Sequence, residues 1–115
     1  MTTTSGTGAW PLEIRVRRAE RRLEIDFDDG ASFSYPAELL RVESPSAEVQ
    51  GHSPSQRVTL AGKRGVGIVE LEPVGNYAVR IVFDDGHATG IYSWPYLHRL
   101  GRDQEEIWRA YLAAL

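Results

Sequence analysis

Apolar and polar residues alternate along Leu12, Ile14 and Val16, set against Glu13, Arg15 and Arg17. Period two predicts a half-buried β-strand. Leu23, Ile25 and Phe27 alternate with Glu24, Asp26 and Asp28 in the same way and predict a second strand, joined to the first by a short hairpin over 18–22. Asp29-Gly30 signals a tight turn, because glycine accepts positive φ. Phe33 and Tyr35 mark a third short strand, and Pro36 suits the entry to a helical turn over 37–41.

The stretch 43–65 loses this periodicity and is too long for an idle connection. Within it, 56–60 is a candidate short strand. Order returns with Ile68, Val69 and Leu71, a strand expected to end at Glu72-Pro73, before a turn at Val74-Gly75-Asn76. A further strand over 78–83 places Val79, Ile81 and Phe83 on one face. Its other face carries Val82, which suggests cover there by the C-terminal helix. That helix is predicted over 103–115, with Asp103 and Glu106 as a capping box. Its stripe of Ile107, Trp108, Tyr111, Leu112 and Leu115 is expected to pack on the sheet.

The chain repeats itself. "LEIDFDDGASFSYPAELLR" (23–41) and "VRIVFDDGHATGIYSWPYLHR" (79–99) share a strand, the string FDDG, a short strand and a proline-containing helical turn. Aligned end to end, Phe27 matches Phe83, Gly30 matches Gly86 and Leu39 matches Leu97, with two extra residues in the second copy. A lone hairpin is marginal in water, whereas two such units can bury each other's apolar sides. The fold class that follows is α+β: antiparallel strands in two hairpin-plus-helical-turn units, with a C-terminal helix. The repeat also assigns Asp84 and Asp85, like Asp28 and Asp29, to a turn rather than to acid–base chemistry. His87 has only Ala31 as its counterpart.

Composition narrows the function. The chain has 115 residues, enough for one domain over 11–115 after a disordered tail over 1–10. Its net charge is -3, which argues against a nucleic-acid partner. Five arginines fall between Arg15 and Arg22, but Arg15 and Arg17 would face Glu24 and Asp26 across the hairpin as a charge-paired surface. No cysteine is present, so disulfides, thiolate zinc sites and cysteine nucleophiles are excluded within this chain. No apolar run reaches membrane-spanning length, and MTTTSGTGA lacks the features of a secretory signal. A cytoplasmic location fits these observations.

The strings EPVG, DGH and GIYSWPYL, together with "LLRVESPSAEVQGH", are specific. From Leu12 to Gly101 the sequence resembles the small bacterial family related to the N-terminal domain of gamma-butyrobetaine hydroxylase. The resemblance implies a small α+β domain with antiparallel strands. In the hydroxylases such a domain precedes an iron- and 2-oxoglutarate-dependent catalytic domain; similar domains are attached to carriers of iron–sulfur clusters. The family domain holds a structural zinc through three cysteines and a histidine. His87 matches that histidine, while Ser44, Ser46 and Val49 stand where the cysteines would be. One donor out of four does not make a tetrahedral zinc site.

Other chemistry is sparse. His87, His52, His98, Glu43 and Glu48 are donors that would suit weakly bound iron or zinc, but their spacing matches no ligand motif. The alternative to a metal at His87 is a hydrogen bond to the 44–48 segment. Gly62-Lys63-Arg64-Gly65 lacks the Ser or Thr of a phosphate-binding loop; its alternatives are a solvated loop or one whose backbone amides and two cations hold an anion. No nucleophile elbow and no facial triad is present. The reading is a non-catalytic domain that binds a protein partner, linked by resemblance to iron or iron–sulfur metabolism or to an oxygenase. Its expected contact surface is Lys63, Arg64, Tyr92, Trp94 and Tyr96. The alternative is a metal-binding module centred on His87.

Overall fold

The computed structural model describes residues 9–46 and 62–115. The expectations for residues 1–8, for a strand over 56–60, and for Glu48, Val49 and His52 lie outside the described residues.

Strands β1 (Pro11–Arg17), β2 (Arg22–Phe27) and β3 (Ser32–Pro36) form one antiparallel sheet in the order β1-β2-β3, followed by the short helix α1 (Ala37–Val42). Strands β4 (Ile68–Val74), β5 (Ala78–Phe83) and β6 (Ile91–Ser93) form a second sheet in the order β4-β5-β6, followed by helix α2 (Trp94–Arg102). Helix α3 (Gln104–Ala114) ends the described chain. The architecture is the α+β arrangement of two hairpin-plus-helix units and a C-terminal helix that the pattern predicts.

The duplication reaches further than the sequence shows. β1 and β4 also correspond: each starts opposite the phenylalanine that ends its partner strand, and each has a register shift one step in, between Pro11 and Glu13 and between Ile68 and Glu70. The residues skipped by these bulges are Leu12, 72% exposed, and Val69, 46% exposed. A bulge takes one residue out of the alternation, so these two apolar side chains point to solvent instead of joining the core. Pro73 does not end β4, which continues through it to Val74. β4 is an edge strand, where a missing N–H removes no ladder bond from a neighbour.

Register also corrects the alignment. Tyr35 pairs with Leu23, and Tyr92 pairs with Val79, so the two tyrosines are equivalent. The helices then start at equivalent residues, Ala37 and Trp94. Their first amides donate to equivalent hairpin carbonyls, Arg21 and Tyr77. On this frame the second copy is longer by a single residue, between Gly86 and Tyr92, and the partner of Leu97 is Leu40 rather than Leu39.

The halves meet in one core. Leu23, Ile25, Phe27, Tyr35 and Leu40 of the first unit pack with Ile68, Val79, Ile81, Phe83, Tyr92 and Leu97 of the second. The contacts are reciprocal. The Tyr35 hydroxyl donates to the Leu97 carbonyl at 2.7 Å, and the Tyr92 hydroxyl donates to the Leu40 carbonyl. Burial pushes both phenols well above the ordinary tyrosine pKa. The outer face of the β1–β2 hairpin carries the expected charge pairs: Arg15 binds Glu24 and Asp26, and Arg17 binds Glu24.

Both ends of the chain depart from expectation. Ala9 packs on the core, and Trp10 exchanges bonds with Asp28, so the fold begins before residue 11. Asp103 does not cap α3 with its side chain, which is held by Arg102. Only Tyr111 of the apolar stripe is buried. Ile107 and Trp108 are half-buried, and Leu112 and Leu115 are exposed. The helix lies against α2 and, through a 2.8 Å bond from the Tyr111 hydroxyl to Glu38, against α1. Its stripe therefore exceeds the surface offered to it.

Candidate functional site

The string FDDG builds the same turn twice. Phe27 donates to Ala31 and Phe83 to His87, while Gly30 and Gly86 adopt φ of 91° and 93°. In each copy the second aspartate uses Oδ1 to accept the amide two residues on: Asp29 from Ala31 at 3.0 Å, Asp85 from His87 at 3.1 Å. That leaves Oδ2 pointing at the helix of the other half. Asp29 Oδ2 meets His98 Nε2 at 2.9 Å, and Asp85 Oδ2 accepts from Arg41 Nε at 2.8 Å. Arg41 and His98 are equivalent in the register given above. The two carboxylates therefore cap their own turns and lock the halves together.

Beyond these locks the two ends differ. At the first turn the space is filled by aromatic rings. His98 stands edge-on to Phe27 and Phe33, with centroids 4.9 and 5.4 Å away, and Phe33 presses on Gly101, where a Cβ would come within 2.3 Å of the ring. His98 is thus a packed, paired residue rather than an exposed helix end. At the second turn the equivalents of Phe33 and Gly101 are Gly90 and Ser44, and large and small have changed places. A Cβ on Gly90 would meet the Ser44 hydroxyl at 2.4 Å.

This second turn gathers buried polar groups. Ser44, Ser46, Arg41, Glu43 and His87 are all less than a tenth exposed. His87 Nε2 lies 2.9 Å from Ser44 Oγ, which also accepts from the Ser46 amide at 3.2 Å. Ser46 Oγ lies 2.8 Å from Thr89 Oγ1. Asp85 also accepts from Lys63 Nζ at 2.8 Å on Oδ2. Burial would raise the Asp85 carboxyl, but the Lys63 ammonium, the His87 amide and the Arg41 guanidinium outweigh it and bring its pKa down to about 2.

Among the described residues the donors around His87 are a poor set for zinc. Neutral hydroxyls replace thiolates at Ser44 and Ser46, and the imidazole nitrogen facing them is engaged by Ser44. Among the described residues no three of His, Asp and Glu come together as a metal-binding group. His87 meets the 44–48 segment through Ser44 Oγ.

The expected contact surface is divided. Lys63 is tied to Asp85, and Arg64 is exposed. Tyr92 and Trp94 are inward-facing: Tyr92 is fully buried, and Trp94, 9% exposed, donates its indole N–H to the Asn76 carbonyl. They offer no face to a partner. Tyr96 is half-buried, donates to the Glu43 carbonyl and carries Arg99 over its ring. Sequence reasoning missed Arg41, whose importance has no local signal. It becomes visible only when α1 is set against the turn of the other half.

No helix among the described residues is long and apolar enough to cross a membrane. No curated protein matches the chain. Among solved structures, two protein structures determined in solution by NMR are similar. One is 43% identical with a TM-score of 0.81, over 93% of this chain and 84% of that one. The other is 47% identical with a TM-score of 0.82, over 98% and 84%. A crystal structure of a protein of unknown function from Acidithiobacillus ferrooxidans, assigned to the DUF971 family, is 43% identical with a TM-score of 0.65, over 79% of this chain and 91% of that one. The family model described as gamma-butyrobetaine hydroxylase-like, N-terminal, matches residues 14–98, and to that family the chain belongs.

Proposed function

We propose that the chain is a non-catalytic accessory domain that acts by binding a protein partner, in the setting of iron or iron–sulfur metabolism or of an oxygenase. Family membership supplies the setting. What supports the binding role is how the chemically capable groups are used. Asp29, Asp85, Arg41, His87, His98, Tyr35 and Tyr92 are each bonded to another part of the fold. They hold the halves together and leave the outside to make contacts.

The contact surface is the exposed remainder of the expected one, Arg64 and the half-buried Tyr96, extended to Ile91. Ile91 is 47% exposed on β6, an edge strand of the second sheet. A strand edge left unpaired among the described residues, with an apolar side chain beside it, suits strand addition by a partner.

Affinity capture from the source organism, with bound proteins identified by mass spectrometry, tests this reading. A specific partner should be retained by the native chain and lost from both Ile91→Arg and Arg64→Glu, each with unchanged circular dichroism. Identical capture profiles for all three proteins would refute the surface. Elemental analysis of untagged protein addresses the metal reading: a stoichiometric metal lost in His87→Ala would replace the accessory role with a metal module.

A further inference from the structure

The two halves solve the same locking problem with different amounts of charge. At the first turn a single imidazole meets Asp29, and rings fill the rest. At the second turn two full cations converge on one carboxylate oxygen. Arg41 Nε and Lys63 Nζ each lie 2.8 Å from Asp85 Oδ2, so the two nitrogens are no further apart than twice that distance. Asp85 Oδ1 is spent on the His87 amide. Lys63 comes from outside both repeats, so the second cation is surplus to the lock.

The guanidinium is also under-served. Arg41 is nine-tenths buried, and among the described residues its Nη1 has no hydrogen-bond partner. Native folds rarely leave such a group bare. Among the described residues its carboxylate partner is Asp85, already shared with Lys63. The depressed pKa of Asp85 reports the same excess of positive charge. Lys63 and Asp85 are each about a fifth exposed, so the cluster opens to solvent at that end.

We propose that the cradle of the Arg41 guanidinium, the Lys63 ammonium and the His87 amide binds a small tetrahedral oxyanion of the phosphate or sulfate class, and that Asp85 is the internal carboxylate occupying it otherwise. A carboxylate brings two oxygens and one charge to three donor groups. A tetrahedral oxyanion brings up to four oxygens and a second charge, and a guanidinium fork beside an ammonium is the donor pair that recognises it. Binding moves Asp85 out to solvent, and the site keeps its cations.

The test is chemical rescue of the full chain. Asp85→Ala leaves two cations facing each other and should melt below the native protein. Inorganic phosphate should then raise its Tm in a saturable way, by roughly 4 °C, while sodium chloride at matched ionic strength does not. Sulfate should act as phosphate does. Adding Arg41→Lys or Lys63→Gln to Asp85→Ala should abolish the rescue. Equal effects of phosphate and chloride would mean an adventitious ion only and would overturn the proposal. If Asp85→Ala does not fold, phosphate titration of the native chain by NMR decides. Saturable shifts of the Gly86 and His87 amides, lost in Lys63→Gln, support the site, and shifts that never saturate refute it.

Discussion

The paired tyrosines give the sharpest stability prediction, because their acceptors are not equivalent. Tyr35→Phe and Tyr92→Phe each delete one buried oxygen and leave the ring in place, so neither opens a large cavity. The Leu97 carbonyl lies inside α2, four residues before Gly101, where helix geometry already supplies a donor. Loss of the Tyr35 hydroxyl removes a second bond from a satisfied acceptor, and should cost about 1 kcal/mol. The Leu40 carbonyl lies in the last turn of α1, among the carbonyls a helix cannot satisfy itself. The Ser44 amide that would continue the ladder donates to Arg41 instead, at 3.4 Å. Among the described residues the Tyr92 hydroxyl is the donor that meets Leu40. Its removal leaves a buried carbonyl bare and should cost about 2–3 kcal/mol. Equilibrium urea unfolding of both variants measures the difference directly, with an unchanged m-value as the control. A Tyr92→Phe loss no larger than that of Tyr35→Phe would refute the argument from helix ends.

Gly101→Ala separates two opposed effects: helix propensity favours alanine by about 1 kcal/mol, but the new Cβ would lie 2.3 Å from the Phe33 ring, and overpacking of roughly 1–3 kcal/mol should win, lowering Tm. Leu12→Ala, at a bulge and 72% exposed, should stay within about 0.5 kcal/mol of the native protein, whereas Leu23→Ala in the core should lose about 2–5 kcal/mol by the same denaturation assay. Asp85 has a folded-state pKa depressed from 3.8 to about 2. Its stabilisation is therefore complete above the unfolded pKa and is lost as pH falls through the folded one. The gap in Tm between the native chain and Asp85→Asn should be constant above pH ~4 and close towards pH ~2; a gap independent of pH would contradict the ion-pair geometry.

Alternation of apolar residues, FDDG and the turn glycines are local, and they carried the strands, both turns and the duplicated plan. They also identified the family, since EPVG, DGH and GIYSWPYL are contiguous strings. Local pattern misplaced Leu12 and Val69, because a bulge leaves the residue sequence intact while shifting which face each residue takes. It matched Leu39 to Leu97, because a text alignment cannot see which strand residue pairs with which. It set Tyr92 and Trp94 on a surface, because the same aromatic composition suits an interface and the lining of a small core.

The sequence by itself determined what each short segment becomes, since strand, turn and helix propensities act over a few neighbouring residues. The tertiary structure alone decided the partners: Arg41 and Lys63 on Asp85, Ser44 on His87, Tyr92 on Leu40, Gly101 under Phe33. These pairs are far apart along the chain. Which of several chemically acceptable partners is chosen depends on how two halves dock, and docking is set by the shape of a shared core that no single segment contains.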